Sequence, residues 1–297
     1  MDRIKEAFHP AFIHSSRLSV VQTFLVFFLG GNQTTMIKPK AIILRTAGVN
    51  CDMESAYAAE TAGFEAERVH INRVASGEVK LDGCSFLFIP GGFSYGDDIA
   101  AGKIMALELR KRLGDQLLRF EEQGKLVLGV CNGFQVLIKT GMLPFHESRP
   151  EEMRATLTIN DSGKFEDRWV YLKSEPDTVC VFTRAMKPVI QLPVAHAEGK
   201  FMVKSSADME ELGKNGQVAL RYTSRCAEIP SYPEDPNGSF DHVAGVCNKQ
   251  GTILGLMPHP ERFLTRYTHP RWTRENLPEE GDGAVFFRNA YEYCKEM

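Results

Sequence analysis

The chain has 297 residues, of which 43% are hydrophobic and 25% are charged, and its formal net charge is −3. This profile is typical of a globular protein with a substantial core, built as one large domain or two small ones. The slight negative charge and the lack of a Lys/Arg cluster argue against a protein that binds nucleic acid. The seven cysteines form no CxxC pair, which argues against a disulfide framework or a zinc site and favours a reducing, cytoplasmic compartment.

The first 35 residues differ from the remainder of the sequence. An apolar run over residues 19–31 follows three basic residues, but it is too short to span a bilayer and no Ala-x-Ala cleavage pattern follows it. Met36 directly precedes the first clear strand. We therefore predict one domain over residues 36–297, no membrane association, and an extension over residues 1–35 that is poorly ordered or not native. A targeting segment and an added packing element are the alternatives for the extension.

Strand and helix patterns alternate after Met36. Residues 41–44 are a continuous apolar run, as in a strand that is covered on both faces of a parallel sheet. A helix over residues 52–62 follows, and residues 64–71 and 85–89 are the next strands. This spacing requires crossover connections and predicts an α/β fold, with a doubly wound, mostly parallel sheet flanked by helices. Ligands of such sheets bind beyond the carboxyl ends of the strands.

The second half of the chain has the alternating pattern of antiparallel strands. We expect these strands to lie beside the parallel sheet. The further predicted segments are a long, broken helix (102–123), a strand leading into a turn (125–130), antiparallel strands (153–159 and 168–182), a strand that ends in a loop (193–199), another strand (217–222), a long loop (223–241), a hairpin (243–247 and 252–257) and a closing helix (283–297).

A Gly-x-Cys-x-Gly turn over residues 129–133 connects a strand to a helix. Cys131 at its tip would occupy a cramped backbone conformation, and the flanking glycines let neighbouring backbone approach closely. The N-terminus of the following helix lowers the pKa of a thiol and offers a donor to a developing oxyanion. Cys131 is therefore a candidate nucleophile. The alternative is a buried structural cysteine in a tight turn.

Two further segments carry groups that a nucleophile needs. Gly91 and Gly92 follow the strand over residues 85–89, and we predict that a backbone N–H near Gly92 faces the Cys131 turn as an oxyanion donor rather than forming a surface turn. His259 and Glu261 lie on the same side of an extended segment that prolines stiffen. An imidazole oriented by a carboxylate activates a thiol, although a Pro-His-Pro surface turn is the alternative.

Several other residues are weaker candidates. His196 and Glu198 repeat the His-x-Glu spacing and could form a rival pair, a substrate-facing or partner-facing group, or a plain structural loop. The neighbours Asp97 and Asp98 lack a third metal ligand at recognisable spacing. The remaining cysteines have no base nearby in the pattern and are interpreted as structural: Cys51, Cys84, Cys180, Cys226, Cys247 and Cys294.

These motifs together resemble those of a known family. The segment over residues 129–135 (GVCNGFQ) with the distant His259-Pro260-Glu261 resembles the class I (triad) glutamine amidotransferases, which have a flavodoxin-like fold. Five further segments narrow the resemblance, over residues 38–297, to glutaminase subunits of phosphoribosylformylglycinamidine synthase, an enzyme of purine synthesis. They are residues 90–97 (PGGFSYGD), 165–170 (FEDRWV), 195–199 (AHAEG), 236–239 (PNGS) and 256–262 (LMPHPER).

The resemblance implies a reaction and a set of roles. Cys131 would attack the side-chain amide of glutamine, while His259 and Glu261 complete the triad. Backbone N–H groups near Gly92 and Asn132 would hold the oxyanion. The substrate-binding positions would be Gln135, which by spacing alone could merely face the rim of the pocket, and His196.

The resemblance also implies partners. The sequence contains no phosphate-binding glycine loop, so no cofactor is expected in this chain. ATP and Mg²⁺ are expected on a large synthetase subunit that receives the ammonia, and the complex often includes a small accessory subunit. The alternatives are a triad amidotransferase that serves another acceptor and a non-catalytic regulatory relative. The presence of Cys131, His259 and Glu261 argues against the latter.

Overall fold

The computed structural model describes residues 38–147 and 152–297, and the predicted extension over residues 1–35 lies outside them. The strands of the described residues are β1 (Lys40–Arg45), β2 (Glu65–His70), β3 (Phe86–Ile89), β4 (Leu126–Val130), β5 (Ala155–Thr158), β6 (Glu166–Ser174), β7 (Val189–His196), β8 (Lys200–Val203), β9 (Val218–Thr223), β10 (Val243–Cys247) and β11 (Ile253–Leu256). The α-helices are α1 (Asp52–Ala62), α2 (Ile71–Ala75), α3 (Lys103–Glu122), α4 (Asn132–Thr140), α5 (Ser206–Lys214) and α6 (Ala284–Glu296).

One mixed sheet organises these elements. Its strand order is β2-β1-β3-β4-β11-β10-β9-β6-β7, and β5 and β8 pair in a separate antiparallel sheet. The pairs from β2 to β11 are parallel, whereas those from β11 to β7 are antiparallel. The predicted α/β class is confirmed, including the antiparallel strands beside a parallel sheet.

Burial explains why the continuous apolar runs became central strands. Every residue of β3, β4 and β11 is buried, as is the middle of β1, which is the pattern of a parallel sheet covered on both faces. β2 is different: it forms the edge of the sheet, and most of its residues are at least partly exposed. Charged residues on such an edge strand discourage pairing with another chain.

Three details of the sequence prediction were wrong or incomplete. Helix α3 is continuous, because the buried residues Met105, Leu109 and Leu113 keep one face packed through the expected break. The strand predicted over residues 168–182 ends at Ser174. Helix α5 was not predicted, although Ser205 caps it by accepting a hydrogen bond from the Asp208 N–H at 3.2 Å.

The strand order brings three loops to one edge of the sheet. Ile89 of β3 pairs with Gly129 of β4, and Val130 of β4 pairs with Leu256 of β11. The three strands are parallel, so the loops after Ile89, Val130 and Leu256 all leave from the same edge. These loops carry the glycine pair, the cysteine turn and the His-Pro-Glu segment.

The cysteines and the helices give two further facts. All seven cysteines lie within the described ranges and are free thiols. Among residues 38–147 and 152–297, no helix combines the length and the apolar character needed to cross a membrane.

Candidate active site

Cys131 occupies the strained turn that the sequence predicts. Its backbone has φ 52° and ψ −107°, between the end of β4 and the start of α4. The Cys131 N–H donates to the Leu256 carbonyl at 2.8 Å, which ties the turn to β11. A non-glycine residue at positive φ is uncommon, and such strain concentrates at functional sites. The thiol is buried and donates to the Ala195 carbonyl, with 3.5 Å between sulfur and oxygen.

Gly133 permits the turn to pack against β3. A Cβ atom added at Gly133 would lie 1.9 Å from the carbonyl oxygen of Ile89, a backbone atom that cannot move alone. We therefore expect Gly133→Ala to destabilise the protein by about 1–3 kcal/mol or more and to displace Cys131. Urea unfolding measures the first effect, and the rate at which iodoacetamide alkylates Cys131 measures the second.

Gly114→Ala is the matched control for this substitution. Gly114 lies inside α3, and an added Cβ there meets no atom within 4 Å. This variant should gain up to about 1 kcal/mol, since alanine is the better helix former. Equal stability of the two variants would contradict the packing argument.

The glycine pair after β3 is held in place by the loop after β1. The Phe93 N–H donates to the Gly48 carbonyl at 2.9 Å, and the Cys51 N–H donates to the Gly91 carbonyl at 3.3 Å. Because these hydrogen bonds lie on either side of Gly92, the Gly92 N–H takes no part in the pairing of the two loops. Gly92 has φ +136°, and a Cβ there would lie 2.7 Å from the Asn50 nitrogen, so the position requires glycine.

Asn132 connects the cysteine turn to the glycine loop. Its side-chain oxygen accepts a hydrogen bond from the Ser94 N–H at 3.2 Å, and its amide nitrogen donates to Asp97 at 3.0 Å. Asn132 is also the first residue of α4, so its backbone N–H lies among the donors that a helix leaves unpaired. The predicted oxyanion donors, at Gly92 and Asn132, therefore lie on two loops that are bonded to each other.

His259 and Glu261 form a buried pair at the end of β11. The His259 Nδ1–H donates to Glu261 Oε1 at 2.6 Å, and both side chains are at least 97% buried. Pro193 fixes the backbone, since its carbonyl accepts the His259 N–H at 2.8 Å. His259 Nε2 makes no hydrogen bond of ordinary geometry with the described residues. The thiol of Cys131 lies beside it.

The charges around His259 favour the imidazolium form. Burial alone would lower the pKa of His259, but the Glu261 carboxylate and the Cys131 sulfur outweigh this effect and hold the pKa well above its ordinary value. The imidazole is thus kept as a proton donor at neutral pH. This is the state that a leaving amine requires.

Cys51, which sequence reasoning placed among the structural cysteines, lies in the site. Cys51, His259 and Glu261 offer a sulfur, a nitrogen and an oxygen atom within 4.8 Å of one another, a donor set that suits a soft divalent cation. However, Arg262 Nη2 donates to the Cys51 sulfur at 2.9 Å and places a positive charge there. Since Glu261 is already bonded to His259, the cluster is better explained by a triad with an added thiol than by a metal centre.

His196 does not form the rival pair with Glu198. Its Nδ1–H donates instead to the Asn160 side-chain oxygen at 3.1 Å, in a buried position. Burial, followed by the charge of His259, lowers the pKa of His196 to about 3, so the ring is neutral. His196 Nε2 has no hydrogen-bond partner in the described part of the chain and is free to accept one.

Gln135 and Asp97 have bonded side chains. Gln135 Oε1 accepts a hydrogen bond from Asn132, and Nε2 donates to the Glu198 carbonyl at 2.6 Å, which ties α4 to the loop after β7. Asp97 accepts hydrogen bonds from the Gly102 N–H and from Asn132, both at 3.0 Å. Its carboxylate thus serves to fix loops. The substrate-binding roles of Gln135 and His196 stay predictions.

The fold and this geometry define an α/β enzyme site in which a buried thiol shares an imidazole with a carboxylate. Residues 38–294 match the family described as the CobB/CobQ-like glutamine amidotransferase domain. The chain belongs to this glutamine amidotransferase family, and the resemblance seen in its motifs is confirmed.

Two relatives show which members of this family the chain is similar to. The PurQ component of phosphoribosylformylglycinamidine synthase from Dehalococcoides mccartyi is 44% identical over 263 residues, which cover 88% of this chain and all of the relative. The PurQ component from Treponema denticola is 42% identical and covers 76% of this chain and 88% of its own length.

Solved structures agree with the sequence relatives. A chain of the structure of PurLQS from Thermotoga maritima matches with a TM-score of 0.66 and 32% identity, covering 86% of this chain and 99% of that chain. A GMP synthase protein from Thermoplasma acidophilum matches with a TM-score of 0.52 at 14% identity, covering 88% of this chain and 96% of that chain, and shows the shared fold alone.

Proposed function

We propose that this protein is the glutaminase subunit of a phosphoribosylformylglycinamidine synthase. It hydrolyses glutamine to glutamate and ammonia, and the ammonia serves the conversion of formylglycinamide ribonucleotide to formylglycinamidine ribonucleotide. The observation that carries the proposal is the elbow thiol of Cys131 beside the buried His259–Glu261 pair, in a chain that spans the full length of a PurQ relative.

The first half of the reaction forms a thioester. With the proton that the pair shares held on His259 Nε2, the Cys131 sulfur attacks the amide carbon of the glutamine side chain. The N–H groups of Gly92 and Asn132 stabilise the resulting oxyanion, and removing one such donor typically costs about 10²–10³-fold in rate. The His259 imidazolium then gives its proton to the amide nitrogen, the carbon–nitrogen bond breaks, and ammonia leaves.

The second half regenerates the enzyme. Neutral His259 takes a proton from water, the hydroxide attacks the γ-glutamyl thioester, and the carbon–sulfur bond breaks. Glutamate leaves, and the Cys131 sulfur again faces the His259 imidazolium. Glu261 keeps the imidazole in the orientation and tautomer that both halves need.

In this proposal, partner chains carry out the ATP-dependent step that uses the ammonia. Thioester hydrolysis by Cys131 and His259 needs no cofactor in this chain. Amidine formation from an amide needs activation, so ATP and Mg²⁺ belong to a large synthetase subunit. The similarity to a chain in the structure of PurLQS supports a complex with partner chains, which we identify in this proposal as that synthetase and a small accessory subunit. Free thiols throughout the described chain favour a cytoplasmic location.

Glutamate release tests the proposal directly. The protein is assayed with glutamine alone and then with the matching synthetase, ATP and formylglycinamide ribonucleotide. We expect release to rise at least tenfold with the full set, because partner binding completes many such sites. Equal glutamate release in both settings would contradict the proposed ammonia acceptor. No release in either setting would overturn the glutaminase function.

A further inference from the structure

Cys51 is a buried thiol that the proposed mechanism does not use. It directly precedes α1 and is 1% exposed. Its sulfur accepts a hydrogen bond from Arg262 Nη2 at 2.9 Å, and its thiol donates to Asn50 Oδ1 at 3.3 Å. The thiol also makes a hydrogen-bonding contact with the His259 side chain. These contacts together fix the position of the sulfur.

Gly91 shows how closely Cys51 approaches the triad. A Cβ atom added at Gly91 would lie 2.7 Å from His259 Cε1, 3.1 Å from the Cys51 sulfur and 3.5 Å from Cys131 Cβ. Three side chains thus surround a single glycine position. The Cys51 sulfur and a ring nitrogen of His259 lie within 4.8 Å of each other, so a shift of the sulfur would alter the packing of the ring.

Three segments of the chain meet at Cys51. Its backbone N–H is bonded to Gly91 in the oxyanion loop, and its carbonyl accepts a hydrogen bond from the Ser55 hydroxyl of α1 at 2.6 Å. Its sulfur is bonded to Arg262, three residues after His259. Arg262 is itself held by Glu54, whose carboxylate lies 3.6 Å from Nε.

We propose that Cys51, held by Arg262, is a positioning residue that fixes the His259 imidazole against the Cys131 sulfur. This inference rests on the proposed glutaminase function. Because burial raises the pKa of the Cys51 thiol, the group is neutral at neutral pH and acts through contact and hydrogen bonding. We do not assign it as a second nucleophile, because the neutral thiol is already hydrogen-bonded to Arg262 and Asn50.

The charged groups around His259 set the expected pH effect. Burial disfavours the imidazolium, whereas the Glu261 carboxylate, the Cys131 sulfur and a hydrogen-bonding contact with the Cys51 side chain favour it. Arg262 and the neighbouring ring of His196 are the other titratable groups nearby. We expect Cys51→Ala to remove this hydrogen-bonding contact and to lower the pKa of His259, so that the imidazolium is lost at a lower pH. The basic limb of the kcat profile then moves to lower pH.

The experiment uses the full chain with its synthetase partner. We expect Cys51→Ala to lower kcat by about 10–100-fold, as a small misplacement of a catalytic group does, with KM for glutamine within about threefold of wild type. Cys51→Ser keeps a donor and an acceptor and should recover most of the loss. Cys84→Ala is the matched control, because Cys84 is equally buried but donates to the Phe86 carbonyl outside the site. It should retain wild-type kcat.

A second readout separates positioning from folding and from the proposed function. The rate at which iodoacetamide alkylates Cys131 is measured against pH in wild type, Cys51→Ala and Cys84→Ala by mass spectrometry. A profile displaced only in Cys51→Ala supports the proposal. Unchanged kcat and an unchanged alkylation profile in Cys51→Ala overturn it. Loss of kcat equal to that in Cys84→Ala also overturns it.

Two outcomes need separate handling. If Cys51→Ala does not fold, the Arg262→Lys variant tests the proposal instead, because it keeps the charge but removes the planar donor. A displaced alkylation profile in this variant supports the proposal, and an unchanged profile overturns it. If wild type releases no glutamate, the proposed function fails, and the alkylation profile still tests whether Cys51 positions His259.

Discussion

Replacing Cys131 by alanine is expected to abolish glutamine-dependent synthesis by the complex and to leave ammonia-dependent synthesis intact. Loss of a nucleophile in a triad costs roughly 10⁶-fold in kcat, which brings glutamate release to background. Ammonia supplied from solution bypasses this site. The measurement is product formation by the complex with glutamine and with an ammonium salt as alternative nitrogen sources.

The Cys131→Ala substitution is structurally mild, which makes the result interpretable. Alanine tolerates the φ of 52° about as poorly as cysteine does, and the change removes one buried sulfur atom. Unfolding by urea should therefore change far less than for Gly133→Ala. Retention of both activities would show that Cys131 is not the nucleophile, whereas loss of both would assign it a structural or interface role.

Much of this site could be predicted from the sequence because the fold sets its geometry. Cys131 and His259 are far apart in the chain, but each follows a buried strand, and strands β4 and β11 are parallel neighbours. Residues at the carboxyl ends of such strands must meet. The His259–Glu261 contact was also predictable, because spacing by two in an extended segment places both side chains on one side.

Cys51 and Gln135 show what the sequence could not supply. Cys51 follows β1, at the same edge of the sheet, so the topology alone made its loop a candidate. Its contact with Arg262 depends on side-chain packing between segments over 200 residues apart, which no local periodicity encodes. Gln135 lies where the motif predicts, but whether its amide meets substrate or protein depends on the loop after His196.

Glu261→Gln is expected to lower kcat by about 10³–10⁴-fold while the protein stays folded. The carboxylate accepts the Nδ1–H of His259 at 2.6 Å, and a glutamine amide in its place can present an N–H and select the wrong tautomer. The measurement is glutamate release by the complex across pH 6–10, with glutamine at saturation.

The pH dependence distinguishes this mechanism from simple misfolding. The Glu261 charge helps to hold the pKa of His259 well above its ordinary value against the effect of burial, so wild type keeps the imidazolium through neutral pH and loses it only as pH rises through this elevated pKa. Removing the charge lowers the pKa, and the basic limb of the kcat profile moves to lower pH. Glu280→Gln, which removes only an exposed pair with Arg288, should leave kcat and the profile unchanged. A Glu261→Gln variant with reduced kcat but an undisplaced profile would mean that Glu261 acts by packing, and the proton donor would have to be sought elsewhere in the site.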